Sequence, residues 1–147
     1  MAVSTVRSRP DAIGDARKAL RALGLRGTAA RLAVFQHMLS AGGPQSHSDV
    51  SSALRSRGFD SATIYRNLID LTKARVLERV DLGDHVWRFE KTRSANRKPK
   101  THPHFVCDDC GSVACLDDGD VQISRVRSTR RVAEISAITV KGRCSSC

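Results

Sequence analysis

The run THPHFVCDDCGS, residues 101–112, crowds His102, His104, Cys107 and Cys110 into nine positions, and the chain closes on a second pair, Cys144 and Cys147. At C-x-x-C spacing a tight turn aims two thiolates at one cation. Two such pairs supply the four sulfurs of a closed tetrahedral zinc site. Thirty-three residues separate the pairs, more than in a compact zinc ribbon, so the site would join the two ends of a small domain. The rival chemistry is a dithiol oxidoreductase. That motif opens a helix within a βαβ unit, where the thiol pKa falls. Neither pair here has that setting, and structural zinc is the stronger reading.

His102 and His104 alternate along an extended segment, so both imidazoles point the same way. Neutral imidazole is a good metal ligand, and two of them make a bidentate half-site. A complete site needs further donors, and the candidates are Glu90, His47 and Cys115. Cys115 is either a ligand or a small apolar residue buried in a strand. His37, in mid-helix, and His85, near a turn, lack ligand neighbours at matching spacing and read as structural or exposed.

These residues must be positioned by elements that the apolar pattern places. Residues 11–23 carry Ile13, Ala16, Leu20 and Leu23 at helical spacing. Thr28 caps a second helix with Leu32, Phe35 and Leu39 on one face, ended by Gly42, Gly43 and Pro44. Ser46 with Asp49 resembles a capping box for a third. A fourth helix follows Asp60. It buries Ile64, Leu68 and Leu71 and turns Thr63, Tyr65, Arg66 and Asn67 outward. Strands near 76–80 and 85–89 form a hairpin around Leu82, Gly83 and Asp84. Helices followed by a hairpin is the order of a winged helix-turn-helix, whose last helix enters the major groove of DNA.

Residues 91–101, KTRSANRKPKT, hold five basic side chains and no large apolar one, and read as a linker. Beyond it the sequence predicts a strand into the first cysteine pair, a second strand over SVACL, a helix over 118–131 and a strand over 133–142. The fold class expected is therefore α+β. A winged-helix domain spans 1–90, a basic hinge 91–101, and a small α+β domain 102–147.

Composition agrees. With 147 residues and 4% aromatics, a second domain this small needs a staple such as a metal or an oligomeric contact. The formal net charge is +10, and residues 1–101 hold 19 of the 25 Lys+Arg but 9 of the 15 Asp+Glu. The whole excess lies there. A basic surface confined to one part of a chain favours a polyanion, nucleic acid above all, over a merely solvated face. No stretch approaches the ~20 apolar residues of a membrane span, and the first twenty residues lack a signal-peptide core. A cytoplasmic protein is expected, a compartment in which paired cysteines favour metal over disulfide.

In order and spacing, LRGTAARLAVFQHML, SATIYRNLIDLTKARVL, WRFE, HPHFVCDDCGSV and GRCSSC resemble the ferric uptake regulator family over residues 10–147. The resemblance implies a homodimeric, metal-dependent repressor: a winged-helix domain hinged to a dimerisation domain, a four-cysteine zinc site in the latter, and a regulatory divalent metal at the hinge. It assigns Cys107, Cys110, Cys144 and Cys147 to structural zinc and His47, Glu90, His102 and His104 to the regulatory site. Cys115 stands where some relatives have a further carboxylate ligand. Tyr65 and Arg66, flanked by Thr63 and Asn67, match the helix that meets thymine methyls and phosphate, and Arg26 matches a basic residue reaching the minor groove. A palindromic, A·T-rich duplex is the expected partner.

The chain departs from the family pattern in places. Lysine, proline and threonine precede the histidines, Gln122 stands where a carboxylate is common and Ser136 where a histidine is, all of which count against a third metal site. The linker is longer and more basic than usual. Glu90 in place of aspartate counts against peroxide sensing. A thiolate at 115 favours Zn²⁺ over Fe²⁺ or Mn²⁺. Control of zinc uptake is thus expected narrowly ahead of iron. The alternatives are a redox-responsive regulator of the same family, a C-x-x-C oxidoreductase, and a zinc-stabilised RNA-binding or adaptor protein, against which the helix-turn-helix order and TIYRNL argue.

Overall fold

A computed structural model describes residues 11–92, 102–117, 119–122, 135 and 137–147. Four helices come first: α1 (Asp11–Ala22), α2 (Ala29–Ser40), α3 (His47–Ala53) and α4 (Ser61–Lys73), with a 3-10 turn at Arg55–Arg57 between the last two. A two-residue strand, β1 (Gln45–Ser46), lies between α2 and α3, and β2 (Leu77–Asp81) and β3 (Trp87–Lys91) form the hairpin. The three strands make one antiparallel sheet in the order β1-β3-β2. A second sheet has β4 (Pro103–Cys107) at its centre, antiparallel to β5 (Val113–Cys115) and parallel to β6 (Ile138–Gly142).

Local chemistry starts α2, α3 and α4 where the sequence predicts. The Thr28 hydroxyl accepts from the Arg31 N–H, and Ser46 and Asp49 form a complete capping box. Asp60 accepts from the Thr63 N–H at 2.9 Å. Such caps satisfy N–H groups that have no partner inside the helix, and each is worth about 1 kcal/mol. At its far end α4 closes in a Schellman turn, Val76 N–H to Leu71 O and Arg75 N–H to Thr72 O, with Arg75 left-handed at φ 58°. That turn sends the chain straight into β2.

One apolar core joins α1, α2, α3, α4 and the inner face of the hairpin. Leu20, Val34, Met38, Val50, Ile64, Leu68, Leu71, Leu77 and Phe89 are essentially inaccessible to solvent. Each such side chain is worth about 1.5–3 kcal/mol of burial. Arg31 bridges α2 to Asp70 of α4 at 2.5 Å and also donates to the Arg26 carbonyl at 2.9 Å, which holds the α1–α2 loop against the bundle.

Three expectations are corrected. Ile13, Leu23 and Leu39 are exposed; Leu23 lies in the turn just past the end of α1 rather than in the helix. Asn67 is buried rather than outward-facing: its amide donates to the Thr63 carbonyl one turn back, at 2.9 Å, and this satisfies it inside the helix layer. β2 begins one residue later than expected, directly after the turn that ends α4, and β3 two residues later, where Asp84 accepts the Val86 N–H in the hairpin turn. The short β1, which sequence does not reveal, pairs with Phe89 and Arg88 and completes the wing. The expected helix over 118–131 and the first part of the strand over 133–142 lie outside the described residues; β6 supplies the rest of that strand.

Candidate functional site

Among the described residues, metal-type donors gather in two groups, and within each the ligand atoms all lie within 4.8 Å of one another. The first contains Cys107, Cys110, Cys144 and Cys147. β4 delivers Cys107, the turn through Gly111 returns Cys110 beside it, and β6, pairing with β4 through Cys107 and Gly142, brings the C-terminal pair alongside. Sulfur separations are 3.8 Å for Cys107–Cys147, 3.7 Å for Cys110–Cys144 and 3.4 Å for Cys144–Cys147. A tetrahedral ion with Zn–S bonds of about 2.3 Å requires sulfurs about 3.8 Å apart. The fit is close.

The electrostatics of this group favour a cation. Backbone N–H groups of Cys110 and Cys144 point at the Cys107 sulfur, the latter from 3.3 Å, and pull its thiol down to about 6. Hydrogen bonds with the sulfurs of Cys144 and Cys110 push Cys147 up to about 12. Metal binding at such a site is coupled to loss of thiol protons. Neither C-x-x-C opens a helix, the setting a dithiol oxidoreductase would use.

The second group joins the two sheets. Glu90, on β3 of the wing, receives His102 Nε2 at 3.2 Å, His104 Nε2 at 3.3 Å and the Cys115 thiol at 3.2 Å. His102 immediately precedes β4 and His104 lies in it. Their rings share one side of the strand with centroids 4.4 Å apart, as alternation requires. Cys115 sits directly across the β4–β5 ladder from His104. Glu90, His102 and His104 are each about 5% exposed. Burial pushes the Glu90 carboxyl up, but hydrogen bonds from His104 and Cys115 and the field of the two imidazoles more than offset this and hold it below its ordinary range. Two buried imidazoles, a buried carboxylate and a partly buried thiol form an N2OS donor set that suits a divalent metal of zinc type. A cavity of about 220 Å³ opens beside Glu90 and Cys115, lined by Met38, Ala41, Gly42 and Gly43.

His47 does not join this group. Its Nε2 faces the carbonyl and hydroxyl of Ser61 at 2.9 and 3.0 Å, and its ring meets Tyr65 edge-on. The reason is positional: as the first residue of α3, it projects toward the start of α4 instead of toward β4. His37, half-buried in α2, and His85, exposed in the wing turn with φ 61°, also stand outside both groups.

The expected DNA-facing residues divide. Arg26 is exposed in the loop before α2, and Tyr65 and Arg66 are exposed on α4. The Thr63 hydroxyl is committed to Asp60 at 2.5 Å, and Asn67 is buried. Arg55 and Arg57, in the turn that leads to α4, are exposed and add basic charge beside it. The residue that sequence reasoning overlooked is Gly43. A β-carbon there would sit 3.1 Å from the Val113 carbonyl oxygen and 3.4 Å from the Ala114 Cα, so the α2–β1 turn lies directly on β5. The glycine pair before Pro44 was the available signal.

A winged helix-turn-helix joined through a buried N2OS cluster to a second, four-cysteine unit defines a class of metal-ligating winged-helix proteins. The chain belongs to the ferric uptake regulator family, whose sequence model matches residues 22–141. The ferric uptake regulation protein of Bacillus subtilis (strain 168) is 29% identical over 89 residues, a match spanning 58% of each chain. The fold is shared with the ferric uptake regulator of Vibrio cholerae at a TM-score of 0.60 and 23% identity, covering 87% of this chain and 98% of that one. It is shared too with a zinc uptake regulator solved in complex with zinc and DNA, at a TM-score of 0.56 and 23% identity, covering 92% and 91%.

Proposed function

We propose that this chain is a metal-responsive transcriptional repressor that acts as a homodimer on palindromic, A·T-rich duplex DNA. Residues 1–90 read the DNA, 91–101 form the hinge, and 102–147 hold the partner protomer. Zn²⁺ bound by Cys107, Cys110, Cys144 and Cys147 staples the last unit. A regulatory divalent ion is held by Glu90, His102, His104 and Cys115, without His47. Arg26, Tyr65 and Arg66 meet the DNA. The Cys115 thiol favours Zn²⁺ over Fe²⁺ or Mn²⁺ at the regulatory site, and so favours zinc homeostasis as the role.

One observation carries the reading. Glu90 belongs to the wing, while His102, His104 and Cys115 belong to the other sheet, so an ion that binds all four must fix the two units relative to each other. A dimer reads both halves of a palindrome only when its reading helices stand about one DNA turn apart, ~34 Å or a multiple. Ion occupancy then sets DNA affinity, and by linkage DNA tightens the ion. A specific observation keeps a second reading in play: the Cys115 sulfur, 3.2 Å from Glu90 and only partly buried, is placed for oxidation to disable the same site.

The deciding experiment selects a duplex from a random pool, then follows its binding at buffered free Zn²⁺, Fe²⁺, Mn²⁺ and Ni²⁺, with wild type and His104→Ala. Zinc-dependent binding that the variant loses, with the dimer intact, is expected. Equal affinity before and after full chelation of the regulatory ion overturns the mechanism, and a His104→Ala protein that falls apart into monomers means that sensor and staple have been confused.

A further inference from the structure

His47 has no metal role in this geometry, yet it is tightly engaged. It begins α3, and its Nε2 lies 2.9 Å from the carbonyl and 3.0 Å from the hydroxyl of Ser61, the first residue of α4. A carbonyl can only accept, so in that contact Nε2 is the donor. Within α4 that same carbonyl faces the N–H of the residue four positions on, which is Tyr65. The imidazole also meets the Tyr65 ring edge-on, with centroids 5.3 Å apart and planes at 68°. The imidazole therefore touches Tyr65 from the side and grips the turn on which Tyr65 stands.

We infer that His47 is a positioning residue for DNA recognition: it latches α3 to the start of α4 and holds the Tyr65 ring in one orientation before DNA arrives. The inference rests on the reading of α4 as the DNA-facing helix. Tyr65 is 43% exposed, and an exposed aromatic side chain on a helix otherwise shares its time among rotamers. An edge-to-face contact is worth ~0.5–1.5 kcal/mol, enough to favour one orientation by about two- to tenfold. Ordering that ring beforehand removes an entropic cost that binding would otherwise bear.

The test uses the full-length, metal-loaded dimer and a duplex selected from a random pool. Tyr65 is the only tyrosine in the chain, so protein labelled with ¹³C-tyrosine gives one set of ring resonances that reports this residue alone. His47→Ala is expected to shift and broaden those resonances and to weaken DNA binding about three- to tenfold, a value within the range of coupling between residues in contact. Metal affinity of the Glu90 centre stays unchanged. Tyr65→Ala weakens DNA binding by at least as much, and the double variant is no worse than Tyr65→Ala. His47→Phe keeps a ring beside Tyr65 and recovers part of the affinity, which provides a second route should the alanine variant unfold.

Losses that multiply in the double variant, an unmoved tyrosine resonance, or loss of metal from the Glu90 centre in His47→Ala each overturn the inference. If Tyr65→Ala weakens DNA binding and neither His47 variant does, the inference alone fails. If Tyr65→Ala leaves DNA affinity untouched, the reading of α4 fails and takes the inference with it.

Discussion

His104 and Cys115 face each other across the β4–β5 ladder, and each sets its donor atom on the Glu90 carboxylate, at 3.3 and 3.2 Å. Residues paired directly across antiparallel strands have β-carbons about 4.5–5.5 Å apart, a spacing the backbone hydrogen bonds enforce. These two donors therefore form a rigid jaw. Glu90 arrives from a different sheet, so an ion bound by all of these donors would also dock the wing.

Removing one side of that jaw is the direct test of the thiol. A four-ligand zinc site carries ~10–16 kcal/mol of binding free energy, and loss of one ligand in four lowers affinity by about a hundredfold or more. Cys115→Ser is therefore expected to weaken zinc at the Glu90 centre to that extent while weakening Mn²⁺, which prefers oxygen, far less. With Co²⁺ as a spectroscopic substitute, the thiolate-to-cobalt charge-transfer band of this site disappears. Unchanged zinc affinity would return Cys115 to the status of a strand residue.

The staple predicts a different failure. Because structural zinc affinity is folding free energy, Cys144→Ser is expected to lose one zinc per chain, measured by elemental analysis, and to lower the melting temperature of residues 102–147, leaving the winged half's helical signal in place. An unchanged melting profile would mean that the quartet, with its 3.4–3.8 Å sulfur separations, does not hold the unit together.

Much of this was legible in the chain because the informative spacings are local. A pair at C-x-x-C, two histidines at i and i+2, and an acid at the end of a predicted strand each specify their geometry within a few residues. His47 was not legible, since its neighbours are set by the angle between α3 and α4 and no short pattern encodes that angle. Asn67 misled for a related reason. It lies three residues after Ile64 and one before Leu68, at the edge of the buried stripe, where a polar side chain can either face water or bond the preceding turn; the second option won. β1 is too short for alternation to show.

The wing carries its own pH signature. Arg88 clamps Asp84 with two hydrogen bonds of 2.8 and 2.7 Å, and chiefly this holds the Asp84 carboxyl at about 2 against an ordinary 3.8. A depressed acid contributes its stabilisation fully above the unfolded value and loses it as pH falls through the folded one. The clamp should release between pH 3.8 and about 2. Arg88 is mostly covered but Asp84 is exposed to solvent, which screens the pair, so the effect on global stability is small. It is visible locally, however, because the sole tryptophan, Trp87, lies three residues on and is 52% exposed. Trp87 emission is expected to change across this window in wild type and not in Asp84→Asn. Identical acid profiles would count against the clamp.

Gly43 offers a way to disturb the contact between the two units without touching a ligand. Its φ is not left-handed, so alanine fits the backbone conformation and the substitution carries no intrinsic strain. The added methyl, however, would lie 3.1 Å from the Val113 carbonyl oxygen, 3.4 Å from the Ala114 Cα and 3.5 Å from the Cys115 nitrogen. All three are backbone atoms of β5 and cannot swing aside, so the α2–β1 turn must lift off that strand. Overpacking of this kind costs ~1–3 kcal/mol. If the turn resting on β5 is the arrangement the ion stabilises, the whole cost falls on the closed state. DNA affinity at saturating zinc and zinc affinity at the Glu90 centre should then fall together, each about tenfold, because linkage ties both to the same equilibrium. The melting of the winged half, whose core Gly43 does not enter, should barely move. A Gly43→Ala protein that binds ion and DNA like wild type would show that the turn does not bear on β5 in the DNA-binding state, and that Glu90 alone couples the two units.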